Sequence, residues 1–188
     1  MSDNRRFFKG SCHCGYVRYL LRITPTTEDH PPGQRIYRCN CTSCHKMGHF
    51  HLRPSVVPED FVLLSPVNPL ESLGDYQWND FELHFLFCKT CGVRPFILYG
   101  EGETADVDVE QYGVEGLKNP EGQSTTKIWR VKATSERKYL SVNGVTVDAG
   151  QEGFELRDYV ERKTLSYLDW LQDEDKETTE RPHPGGCY

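Results

Sequence analysis

Alanine is nearly missing from this chain. Only three of 188 residues are Ala, against forty of Val, Ile, Phe, Trp and Tyr, a bias that favours strands over helices. Positive charge is also short: 22 Lys and Arg face 28 Asp and Glu, leaving a net charge of −6. Nucleic-acid binders carry a basic footprint, so that class of partner is not expected. No apolar run approaches the ~20 residues of a membrane helix. The longest candidate, Phe81 to Phe87, is broken by Glu82 and His84. The opening Met-Ser-Asp-Asn-Arg-Arg lacks the apolar stretch of a signal peptide. A cytoplasmic, reducing setting without a membrane partner is therefore expected, and there clustered cysteines read as metal or catalytic groups before disulfides. No internal repeat and no glycine-rich phosphate loop is present. Mean hydropathy is low at −0.64, so the core is expected to need more than apolar burial.

Cysteine is what the chain has in plenty. Eight occur, and seven fall into three tight clusters: Cys12-His13-Cys14, Cys39-Asn40-Cys41-Thr42-Ser43-Cys44, and Cys88-Lys89-Thr90-Cys91. Close cysteine pairs put two sulfurs on one side of a tight turn, where both can reach one zinc ion. Gly15, Gly48 and Gly92 follow the clusters closely and relieve the backbone where the chain bends. A closed structural zinc takes four protein ligands, whereas a catalytic zinc keeps three and an open position. Seven thiols divide as four plus three. Counting favours Cys12, Cys14, Cys88 and Cys91 as one site and Cys39, Cys41 and Cys44 as a second. A ribbon of Cys41 and Cys44 with Cys88 and Cys91 is the rival partition, which spacing alone leaves open. Cys187 is expected as a free thiol without a metal role. The sequon Asn40-Cys41-Thr42 reads as accidental.

Histidines are weaker candidates. His13 sits between two ligands and is expected to point away. His45 could complete the second site. His49 and His51 share one face of an expected strand, as pocket-lining groups or half-exposed strand residues. Lys46 and Arg53 are near the triplet in sequence and read equally well as solvated charges.

The remaining pattern is a series of short strands: 6–9, 16–23, 34–38, 50–53, 61–65, 73–78, 82–87, 93–99, 128–131 and 139–147. The first and third cysteine clusters then sit at hairpin tips. Thr42 to Met47 reads as a helical turn ended by Gly48. Residues 100–127 read as an insertion or long surface loop, and Leu156 to Leu171 as a helix. Residues 169–188 carry six acids and two bases and are expected as an acidic, flexible C-terminal tail after a single domain spanning 1–168.

These motifs together resemble the glutathione-dependent formaldehyde-activating enzyme family, which also contains the centromere protein V type. The matching stretches are Gly10-Ser11-Cys12-His13-Cys14-Gly15, Cys39-Asn40-Cys41-Thr42-Ser43-Cys44 and Phe87-Cys88-Lys89-Thr90-Cys91-Gly92. They stand in the family's order, and the resemblance covers roughly residues 8 to 147. It implies a mainly β fold, a small zinc-stabilised antiparallel β-tent with short helices. It also implies two zinc ions per chain: a structural one on Cys12, Cys14, Cys88 and Cys91, and a catalytic one on Cys39, Cys41 and Cys44. The implied activity joins glutathione, or a similar small thiol, to a small electrophile such as formaldehyde, giving S-(hydroxymethyl)glutathione, or reverses that step as a carbon–sulfur lyase. Two other readings stand beside it. One is a non-catalytic zinc-stabilised protein-binding module. The other is a redox or thiol-repair enzyme, which needs a free cysteine inside the domain.

Overall fold

The computed structural model describes residues 3–117, 124–172 and 176–186. An antiparallel hairpin of β1 (Arg6–Ser11) and β2 (Arg18–Ile23) opens the chain, paired from Arg6↔Ile23 to Ser11↔Arg18. β3 (Arg35–Cys39) runs into the short helix α1 (Thr42–Met47), and β4 (His51–Arg53) returns antiparallel to β3. There follow α2 (Val57–Asp60), β5 (Phe61–Ser65), α3 (Pro69–Ser72) and β6 (Gly74–Tyr76). β7 (His84–Phe87) and β8 (Phe96–Tyr99) form a second cysteine-tipped hairpin. The chain continues through β9 (Gly102–Asp108), β10 (Thr125–Val131), β11 (Tyr139–Asn143), α4 (Leu156–Glu161), β12 (Ser166–Asp169) and β13 (Lys176–Thr178).

The fold is mainly β with short helices, as the composition implied. One sheet runs β1-β2-β5-β10-β9 and the other β13-β12-β3-β4-β11-β8-β7-β6. Pairing is antiparallel except where β12 lies parallel to β3. Side-chain alternation along each strand explains the layers. Tyr19 and Leu21 of β2, Phe61 and Leu63 of β5, and Trp129 and Val131 of β10 join one buried cluster. Ile36, Leu52, Leu86, Leu98, Leu140 and Val142 of the other sheet belong to the same cluster. Residues next to them in the strands, Leu20, Val62 and Ile128, face the opposite side of the first sheet.

That opposite side corrects the expected surface loop at 100–127, of which residues 118–123 lie outside the described residues. β9 pairs with β10 at seven positions, from Gly102↔Val131 to Asp108↔Thr125. Val107, Tyr112, Val114 and Leu117 then pack over Leu20, Val62 and Ile128. The strand was illegible because its exposed positions Thr104, Asp106 and Asp108 are polar and one of its inward residues is only Ala105.

The expected helix over 156–171 is also corrected. Helix α4 ends at Glu161, Lys163 adopts a positive φ of 55°, and the chain turns into β12. Parallel pairing of Ser166–Leu168 with Tyr37–Cys39 overrides the helical periodicity. Inside the expected tail, Lys176–Thr178 extends the sheet on β12. Cys187 lies outside the described residues. Among the described residues, no helix is long and apolar enough to cross a membrane.

Candidate metal centres

Both hairpin tips are built alike. At the first, Gly15 N–H donates to the Cys12 carbonyl at 2.9 Å and Cys12 N–H to Val17 O at 3.0 Å. At the second, Gly92 N–H donates to the Cys88 carbonyl at 2.8 Å and Cys88 N–H to Val93 O at 2.9 Å. Gly15 and Gly92 have φ of 75° and 74°, the left-handed region that glycine enters without a Cβ clash. The tips converge, and the sulfurs of Cys12, Cys14, Cys88 and Cys91 lie within 4.8 Å of one another. Cys14 Sγ stands 3.6 Å from Cys12 Sγ and 3.6 Å from Cys88 Sγ. Four sulfurs about 2.3 Å from a tetrahedral ion stand about 3.8 Å apart, so this donor set fits a metal such as zinc. Val17 N–H donates to Cys12 Sγ at 3.2 Å, and the Val93 amide draws the Cys91 thiol down to about 6.

The rival partition is thereby excluded, because Cys88 and Cys91 meet Cys12 and Cys14. The sulfurs of Cys39, Cys41 and Cys44 form a separate group within 4.8 Å of one another. Cys39 ends β3, Cys41 caps α1, and Cys44 lies in that helix's first turn. Cys44 N–H points at Cys41 Sγ at 3.5 Å and Cys41 N–H donates to Cys39 Sγ at 3.3 Å. Amides at a helix start stabilise thiolates. Hydrogen bonds from Cys39 and then Cys44 hold the Cys41 thiol far below its usual range, while hydrogen bonds with Cys39 and then Cys41 push Cys44 up. Three sulfur donors suit a soft ion such as zinc. No fourth Cys, His, Asp or Glu donor joins the group among the described residues.

His51, on β4, closes the inner side. Its Nε2 lies 3.2 Å from Cys44 Sγ and its Nδ1 2.8 Å from Ser141 Oγ. The tautomer protonated at Nε2 satisfies both contacts, with the Ser141 hydroxyl donating to Nδ1 and the imidazole donating to sulfur. The ring stacks on Tyr37 at 4.2 Å. Burial, reinforced by His49 and Arg53, holds His51 neutral. Both His49 and His51 are buried, not half-exposed as one expectation had it. His13 and His45 are exposed and outside both thiol groups. Arg53 instead covers the Tyr139 ring at 4.5 Å.

Outside the triplet lies a cleft of about 410 Å³, lined by Thr42, Ser43 and Lys46 of α1 and by Tyr76, Trp78 and Arg94. Ser43 Oγ is 3.3 Å from Cys41 Sγ, which ties the cleft wall to the thiols. Arg94 stacks at 5.0 Å on Phe87 and leaves a buried Nη1 without a hydrogen bond. A guanidinium can make charge-assisted hydrogen bonds to an anion. Sequence reasoning reached Lys46 by proximity. It missed Tyr76 at the end of β6, Trp78 in the loop after it and Arg94 in the loop before β8, which are distant from the triplet in sequence and carry no local signal.

Among solved structures, the crystal structure of a Rhodobacter sphaeroides protein aligns with 80% of this chain and 93% of its own length. Identity there is 19% and the TM-score 0.44, too distant to bear on function. Comparison with curated proteins gives no match. The model of the glutathione-dependent formaldehyde-activating enzyme family matches residues 7–132, from β1 through β10 and both thiol groups, and the chain belongs to that family.

Proposed function

We propose that the chain is a zinc-dependent carbon–sulfur lyase or synthase acting on glutathione adducts, in the manner of an S-(hydroxymethyl)glutathione synthase. The observation that carries this reading is the three-thiol group beside a cleft with two cations, Lys46 and Arg94, and, among the described residues, no lining carboxylate. Cys12, Cys14, Cys88 and Cys91 would hold a structural ion, and Cys39, Cys41 and Cys44 a catalytic one. Zinc at the triplet supplies Lewis acidity and favours the thiolate form of an incoming thiol.

The chain's own groups do the rest. Glutathione carries two carboxylates, and Lys46 and Arg94 bind and orient them. Tyr76 and Trp78 wall the cleft and limit water. His51 donates to Cys44 Sγ and holds that ligand's orientation, as partners of ligands do at metal sites. In the synthetic direction a bond forms between the glutathione sulfur and the aldehyde carbon. The carbonyl π bond breaks, and the thiol proton ends on the new hydroxyl oxygen. Ser43 Oγ, between cleft and triplet, is placed to pass that proton. Held together, the two reactants meet as one molecule rather than by collision.

Exchange NMR on a mixture of glutathione and formaldehyde tests the reading. The zinc-loaded protein should speed exchange between free and hydroxymethylated glutathione, and Cys41→Ala should return it to the buffer rate. Arg94→Gln should raise KM about 10-fold or more, the loss of one charge-assisted hydrogen bond, with a smaller change in kcat. Parent protein with two bound ions and only the buffer rate would overturn the proposal.

A further inference from the structure

Between two of the triplet's thiols sits a side chain that no metal reading uses. Asn40 is 3% exposed, and its amide is bonded on both sides to the C-terminal segment. Its Nδ2 donates to Asp169 Oδ1 at 2.7 Å and to the Pro184 carbonyl at 3.2 Å. Its Oδ1 accepts from Trp170 N–H at 2.7 Å and Leu171 N–H at 3.0 Å. Its backbone N–H donates to Leu168 O at 3.2 Å. Leu168 also pairs with Cys39 across the parallel β3–β12 contact and packs against Cys39, Cys44, Cys41 and Tyr37.

Five hydrogen bonds thus tie one residue of the thiol loop to residues 168–171 and Pro184. The two flanking thiols project from the same backbone, so whatever fixes Asn40 fixes the directions of Cys39 and Cys41. Residues 168–184 lie beyond the 7–132 stretch that the family model matches.

We propose that Asn40 is a positioning residue that clasps the three-thiol loop to the C-terminal segment, making that segment part of the second metal centre. The proposal rests on the reading of Cys39, Cys41 and Cys44 as metal-holding. The clasp holds two sulfurs at the spacing an ion requires before the ion arrives. Asp169 is the partner that makes the contact specific, since the Asn40 amide holds its carboxyl ionised, below the usual range. Loosening the clasp should weaken the triplet's grip and leave the four-thiol site, built on the two hairpin tips, unchanged.

Zinc release from loaded protein to a chromophoric chelator, followed in time, tests this. Parent protein should hold two ions. Asn40→Asp sets a carboxylate against Asp169 and should release one ion about 10-fold faster or more, the usual scale for losing a ligand's supporting contact. The second ion should leave at the parent rate. In cobalt-loaded protein, the same variant should lose absorbance from one site only. Asn40→Asp combined with Asp169→Asn exchanges donor and acceptor, keeps acceptors for Trp170 and Leu171 N–H, gives up the bond to the Pro184 carbonyl, and should restore most of the slow release. Should Asn40→Asp fail to fold, Asp169→Asn alone leaves the thiol loop untouched and should still quicken release of one ion. Variants that keep both ions as the parent does would overturn the clasp while leaving the triplet reading intact. Loss of both ions together, or no recovery in the double variant, would also overturn it. A parent that holds a single ion would overturn both readings.

Discussion

His49 is 3% exposed, and neither ring nitrogen makes a hydrogen bond. Burial pushes its pKa down to about 3, with only the Ser141 backbone pulling the other way. In the unfolded chain a histidine takes its proton near pH 6.5. Between pH 6.5 and about 3 the unfolded form therefore binds a proton that the folded form refuses, and stability rises with pH across that window. His49→Phe keeps a ring in place and removes this linkage. Urea unfolding of parent and variant should show the parent losing up to about 1.4 kcal/mol more per pH unit below 6.5. Both proteins keep all seven clustered thiols, so metal contributions cancel in the difference; parallel profiles would refute the assignment. At this scale the two thiol groups were legible because two or three cysteines within six residues are an uncommon local pattern. Arg94, Tyr76 and Trp78 were not, because a cleft is a meeting of residues distant in sequence.

The two cysteine-tipped hairpins and the capped helix are the elements that set the chemistry. A structural zinc contributes on the order of 10 kcal/mol to folding, comparable to the whole net stability of a domain, about 5–15 kcal/mol. Cys91→Ala should therefore leave a protein without a cooperative melt. Cys41→Ala should lower the melting temperature by a few degrees and abolish activity. Equal destabilisation of the two variants in calorimetry would contradict the division between structural and catalytic sites. Both hairpins were readable, since a glycine follows each pair and strands flank it. The bounds of α1 were readable too, because Gly48 adopts a φ of 62° and stops the helix after Met47. Leu156 to Leu171 misled because Tyr159 and Leu168 are apolar for different reasons: one packs in the main core from α4, the other beside the triplet from β12.

Across the whole molecule, the first sheet buries both faces, one against the second sheet and one under residues 107–117. That second covering compensates for the low hydropathy. Replacing Tyr112, Val114 and Leu117 together with Ala removes most of it. The cost should be about 3 kcal/mol, at roughly 1 kcal/mol for each half-buried side chain. Melting should fall by about 6–12 °C in a chain of this size, with zinc stoichiometry unchanged. A melting point equal to the parent's would show the cover to be dispensable. By itself the sequence determined the strand-rich class, the three thiol clusters and the family, because these depend on composition and on spacing within a few residues. Spacing left open which thiols meet, since four-plus-three and the ribbon partition share the same local spacing; the tertiary structure decided it by the approach of the two hairpins, which groups Cys12, Cys14, Cys88 and Cys91. The tertiary structure also decided the place of the C-terminal segment: β12 reaches Asn40 by a parallel pairing about 130 residues away in sequence, a contact that local periodicity cannot encode.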